Sequence, residues 1–137
     1  MRKIIALCLL TFICSSIICK TSFAIHEEKV PQNEPPSIME KALLRSLDDI
    51  ILETMTNHGN QQLFEFGRIE KISGDNQYDI TLRVIGFEGA HNPPYTLIRM
   101  TIRIPGDDSA NYTVVDYSHR KISNEEFKKL VKFSTYN

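Results

Sequence analysis

Past residue 24 the chain contains no cysteine; Cys8, Cys14 and Cys19 all lie near the amino terminus. Neither a disulfide nor thiol chemistry is open to residues 25–137, so a fold built there must rest on its core alone. Tryptophan is absent, glycine and proline number six each, and no internal repeat recurs. No glycine-rich phosphate loop, zinc-ligand spacing or nucleophile motif is present, which removes support from most enzyme classes that are recognisable by motif. No long run of one charge sign suggests a charged tail either.

What is present begins with a targeting pattern. Arg2 and Lys3 precede the apolar run Ile4 to Ile18, and Ser22-Phe23-Ala24 supplies small residues where a signal peptidase reads. The pattern predicts a signal peptide over residues 1–24, cleaved after Ala24. The apolar run is shorter than the roughly 20 residues a comfortable membrane span needs, and retained it would serve as an anchor. Cys14 and Cys19 follow isoleucines rather than the small residue that lipoprotein processing requires. Arg2, Lys3 and Lys20 leave with the segment and no acid does, so 13 basic residues face 17 acidic ones in the remaining 113. A mildly acidic chain of that length can bury a single core, and it lacks the basic excess of a nucleic-acid binder.

Residues 25–36 are polar and proline-bearing and read as a flexible linker; His26 and Glu27 there offer at most a loose metal contact. Ser37-Ile38-Met39-Glu40 is a capping box that opens an amphipathic helix to about Asn57. Met39, Leu43, Leu47, Ile50, Ile51 and Met55 recur at helical spacing, with Arg45, Asp49 and Glu53 opposite. Gly59 suits the helix end, and His58 its last turn. Four strand-like segments follow. Leu63 to Ile72 changes apolar phase near Gly67, and Gly74-Asp75-Asn76 turns the chain into Tyr78 to Phe87. Ile98 to Ile104 alternates cleanly, and Pro105-Gly106-Asp107-Asp108 turns into Asn111 to His119. Ser123 to Glu126 forms a second capping box before Phe127, Leu130 and Val131. The expected fold class is α+β, with one long helix packed on an antiparallel four-stranded meander, plus a short C-terminal helix, all in one domain over 37–137.

Chemistry is densest from Ile85 to Tyr95. Gly86 and Gly89 permit positive φ, Pro93 and Pro94 fix it near −65°, and Asn92 before proline is pushed toward extended backbone. A loop so stiffened can hold Glu88 and His91 in fixed relation, with Asn92 and Tyr95 beside them; equally, these side chains can serve only local backbone groups. Glu88, His91 and His119 are the candidate ligands for a divalent metal, and Asp116 is a further acid on the same strand as His119. Arg83, Arg99 and Arg103 fall on a common face if the second and third strands pair, where they would bind an anion or form a solvated sheet surface.

Phe87-Glu88-Gly89-Ala90-His91-Asn92-Pro93-Pro94-Tyr95, then Met100-Thr101-Ile102-Arg103-Ile104-Pro105 and a strand ending Asp116-Tyr117-Ser118-His119, resembles a family of small secreted proteins of Bacillus-type bacteria described only as a domain of unknown function. The resemblance runs from Met39 to Lys121. It implies an exported protein of a spore-forming Gram-positive bacterium and supplies no activity or catalytic residue. Two functions fit these observations. One is a non-enzymatic binding module outside the cytoplasmic membrane, contacting a cell-envelope protein or polymer. The other is a metal-dependent or acid–base enzyme centred on Glu88, His91 and Tyr95. The targeting pattern makes a direct prediction: mass spectrometry of culture fluid or cell-wall extract should find a product beginning at Ile25, and recovery of only full-length protein in the cytoplasm would refute it.

Overall fold

The computed structural model describes residues 26–134, so the signal-peptide segment lies outside the described residues. Five antiparallel strands form one meander in the order of the chain: β1 (His26–Lys29), β2 (Leu63–Gly74), β3 (Tyr78–Glu88), β4 (Asn92–Ile104) and β5 (Thr113–Ile122). Three helices accompany them: α1 (Ile38–Ser46), α2 (Asp48–Asn57) and α3 (Asn124–Val131). The fold class is α+β, with two corrections to the expected architecture. The polar stretch expected as a flexible linker contributes a fifth strand, because β1 pairs His26 with Gly74 through to Lys29 with Lys71.

The expected long helix is two short ones. Leu47 stands between them at φ −96° and ψ −4°, its N–H shared between the carbonyls of Leu43 and Leu44. Ser46 turns its hydroxyl back onto the Leu43 carbonyl at 2.7 Å, the local competition by which serine bends a helix. The apolar stripe continues across the break, since Leu44, Leu47, Ile51 and Met55 are all buried. Met39, expected on that stripe, is instead 78% exposed. Both expected caps form: Ser37 Oγ accepts from the Glu40 N–H at 3.0 Å and Ser123 Oγ from the Glu126 N–H at 3.2 Å. Gly59, at φ +75°, ends α2 in the left-handed conformation glycine adopts cheaply.

The sheet buries both faces, one against α1 and α2 and the other against α3. Leu44, Leu47, Ile51 and Met55 pack on Ile69, Ile80, Leu82, Val84, Ile98, Met100 and Ile102. On the opposite face Phe66, Ile85, Phe87, Tyr95 and Leu97 receive Phe127, Leu130 and Val131 of α3. The change of apolar phase in β2 is a bulge between Glu65 and Arg68, with Phe66 at φ +58°. Gly67 within it is held close to α1, since a Cβ there would lie 3.3 Å from a Leu44 methyl. Leu47, only 2% exposed at the break between helices, should be costly to truncate. Leu47→Ala is expected to lower stability by about 2–5 kcal/mol in denaturant melts, and an unchanged midpoint would remove it from the core.

Candidate functional site

The eleven-residue stretch from Ile85 to Tyr95 is mostly strand. Glu88 pairs with Asn92, which leaves Gly89, Ala90 and His91 as the turn, with Gly89 and His91 both at positive φ. Pro93 and Pro94 lie inside β4 rather than in a loop. They fall where the β3–β4 register shifts and before β5 begins to pair at Tyr95, so their missing N–H groups interrupt no ladder.

His91 does not pair with Glu88. Its Nε2 makes a short contact with a carboxylate oxygen of Glu65 on β2, and its ring lies 4.5 Å from Phe87 and 5.7 Å from Phe66 between centroids. Tyr95 donates its hydroxyl proton to the His91 carbonyl at 2.8 Å and stacks flat on Phe127 of α3 at 3.9 Å. Glu65, His91 and Tyr95 thus join β2, the β3–β4 turn and α3 in one cluster. Glu88 and Asn92 are exposed at the mouth of the turn. His119 is not part of this cluster: it lies opposite Ile98 on the face carrying α1 and α2, beside Tyr117 at 5.9 Å. Glu88, His91 and His119 are therefore not brought together as a metal set, and no other metal-binding group forms among the described residues.

The three expected arginines do share a face, but each is already engaged. Arg83 is buried at 4% exposure, donates to the Leu130 carbonyl of α3 at 3.1 Å and has Glu70 at 3.7 Å. Burial lowers its pKa below the usual guanidinium range, and the nearby Glu70 carboxylate opposes that shift. The expectation of an open arginine surface thus fails for Arg83, because α3 covers it. Arg99 is half-exposed and bonds the same Glu70 oxygen at 3.1 Å. Arg103 chelates Asp79 at 2.7 and 3.0 Å and reaches Asp107 at 3.3 Å. The hydrogen bonds from Arg103 hold the Asp79 carboxyl below its ordinary range and raise the guanidinium above its own.

Sequence reasoning overlooked Arg68 and Glu40. Cross-strand pairing sets Arg68 opposite Arg83, and Arg83 opposite Arg99, so three guanidinium groups cross the sheet in one row. Such a row demands carboxylates, and Glu70 and Glu40 supply them. Glu40 is 6% exposed and accepts from Arg68 Nε at 2.8 Å and from the Ile69 N–H at 2.9 Å. An arginine inside an apolar strand, two residues before a glutamate, was the available signal.

A second concave feature lies along this pair. A groove of about 680 Å³ runs between residues 28–37 and α1, over Ile69 and Ile72 of β2. Val30, Met39 and Leu43 wall it, the Glu40–Arg68 pair closes its floor, and the exposed carboxylates of Glu28 and Glu34 stand at its rim.

The Glu65–His91 contact is half-exposed, with side chains 30% and 42% accessible, so its energy should be modest. A double-mutant cycle with Glu65→Ala and His91→Ala should give a coupling of about 0.2–1 kcal/mol in urea melts, with activity at the turn irrelevant to the readout. Zero coupling would show that the pair does not hold the turn to β2.

No curated protein and no solved structure matches the chain. A family does: residues 39–121, from the first turn of α1 to the penultimate residue of β5, match the family described as "Protein of unknown function (DUF3888)". That span holds the Glu65–His91–Tyr95 cluster, the arginine row and Glu40, and omits β1 and α3. Matched over more than half of its length, the chain belongs to this family of unknown function.

Proposed function

We propose that the protein is an extracytoplasmic binding module of a Gram-positive cell envelope, and that the groove beside α1 takes an apolar peptide segment bearing basic residues. The amino-terminal pattern and the resemblance to small secreted proteins support the location. The groove supports the activity: a trough of about 680 Å³ walled by Val30, Met39 and Leu43 removes apolar surface from water when filled.

Charge selects the partner. Glu28 and Glu34 are exposed at the rim. Among the described residues the one arginine lining the groove, Arg68, is saturated by Glu40 and by the carbonyls of Pro31, Glu34 and Phe133. A cationic group on the partner meets two carboxylates with no competing free guanidinium, while an anionic one is repelled. Ile38, 84% exposed beside Met39, extends the apolar surface beyond the groove.

The chain has no tryptophan, so a synthetic Lys/Leu peptide carrying one tryptophan reports its own capture by a blue shift of emission. Saturable binding is expected, weakened roughly tenfold by Met39→Asp, which puts a charge on the apolar wall without touching the core. Glu34→Gln should weaken binding less and flatten its salt dependence. Failure of the peptide to bind, or binding indifferent to Met39→Asp, would overturn the groove as the site.

A further inference from the structure

The two edges of the sheet are built differently. Among the described residues β1 covers His26–Lys29, and Pro31 follows after Val30, the proline-terminated form in which sheet edges are often protected. β5 is ten residues long, has β4 on one side and ends the sheet on the other. From Ser118 to Lys121 every residue is exposed, and a bulge at Val115 interrupts pairing with β4, which resumes at Val114 and Thr113. A strand of this length presents a row of backbone donors and acceptors that another strand can satisfy.

The charges on β5 decide what kind of strand that is. An edge protected by repulsion carries like charges, whereas β5 carries Asp116 and Arg120 at equal distances on either side of Ser118. When two copies of an antiparallel edge pair about a two-fold axis, residue i meets the residue reflected through the axis. With the axis at Ser118, Asp116 of each copy faces Arg120 of the other, and Tyr117 faces His119. Shifting the axis by one residue sets Asp116 against Ser118 or Ile122 and loses both ion pairs. A shift also loses the aromatic pairing, which here prolongs an existing stack of His58 on Tyr117 at 4.0 Å.

The surroundings of the charged pair are compatible with it. Asp116, Ser118 and Arg120 lie opposite Thr101, Arg99 and Leu97 on β4. Arg120 gives two of its donors to Glu126 of α3, leaving its Nε–H for an incoming carboxylate. Arg99 stands across from Ser118, so the centre of the contact holds Arg99 and Arg120 against Asp116 and Glu126. α3 packs across the sheet face toward Phe66 of β2 and so does not lie over the outer edge. We propose that β5 is a homodimerisation edge, pairing antiparallel with the β5 of a second copy in the register centred on Ser118 and giving a continuous ten-stranded sheet.

Sedimentation equilibrium on the full chain tests the charges. The dimer should weaken roughly tenfold or more with Asp116→Arg or with Arg120→Asp, because two cross-strand pairs turn repulsive at once. The double exchange Asp116→Arg with Arg120→Asp should recover it, since a two-fold axis pairs the exchanged charges again. A monomeric wild type, or a double exchange no tighter than the singles, would overturn the proposal.

Arg120→Asp also removes the contact with Glu126, so a second measurement is needed that leaves the charges alone. In a chain carrying Cys8→Ala, Cys14→Ala and Cys19→Ala, Ser118→Cys places a thiol on the axis, within disulfide reach of its copy. Lys121→Cys sets the two thiols about 20 Å apart. Oxidation should cross-link the first and not the second. Equal cross-linking at both positions, or none at residue 118, would exclude this register.

Discussion

Arg68 and Glu40 form the interaction on which the rest of this structure hangs. Their side chains are 1% and 5% exposed, and the guanidinium bonds the carboxylate at 2.8 Å. Two desolvated charges are tolerable only when the remaining donors and lone pairs are satisfied. They are: Glu40 takes the Ile69 N–H, and Arg68 donates to the carbonyls of Pro31, Glu34 and Phe133. One side chain on β2 thus ties together the segment after β1, the first turn of α1 and the residues after α3. Losing one partner would leave a buried charge alone, a penalty of about 3–5 kcal/mol in comparable cases, whereas apolar replacement of both can be neutral. The pair therefore specifies how the segments join more than it adds to net stability. It also explains how β1 and α3, outside the family match, are bound to the part inside it.

The same logic carries along the sheet. A row of Arg68, Arg83 and Arg99 crosses three strands, with Glu40 countering Arg68 and Glu70 shared between Arg83 and Arg99. α3 lies over one side of that row and accepts a hydrogen bond from Arg83 through the Leu130 carbonyl near its own C-terminus, where a cation is favoured by the helix dipole. The arginines organise the face under α3, and two of them border the surfaces proposed for binding: Arg68 in the floor of the acidic-rimmed groove beside α1, and Arg99 across from Ser118 at the edge of β5. These two surfaces lie on opposite borders of the sheet, so a dimer formed through β5 leaves both grooves open.

Much of the architecture was legible because it rests on local rules. Ser37 and Ser123 cap helices wherever a helix follows them, Gly59 ends one, and the alternation from Ile98 to Ile104 puts one set of side chains inward whatever lies above. The candidate site was legible only in part. Its residues cluster along the chain, where Glu88 is the acid nearest His91 in sequence, whereas the bulge at Phe66 brings Glu65 from another strand. Nothing local in the sequence separates His119 from that cluster; the β4–β5 register does, setting it opposite Ile98 on the other face.

By itself, the sequence determined the class of fold, the positions of turns and caps, the bulge near Gly67 and the stretch where polar chemistry is concentrated, since each depends on residues within a few positions of one another. Tertiary structure alone decided that His26–Lys29 is a strand, because its edge bonds need β2. It decided that the helix breaks at Leu47, where packing on the sheet and the Ser46 hydroxyl act together. It also turned Arg68 and Arg83 into buried structural cations, because the carboxylates and carbonyls that engage them come from segments distant in sequence, and no periodicity along a single strand records a partner 28 or 47 residues away.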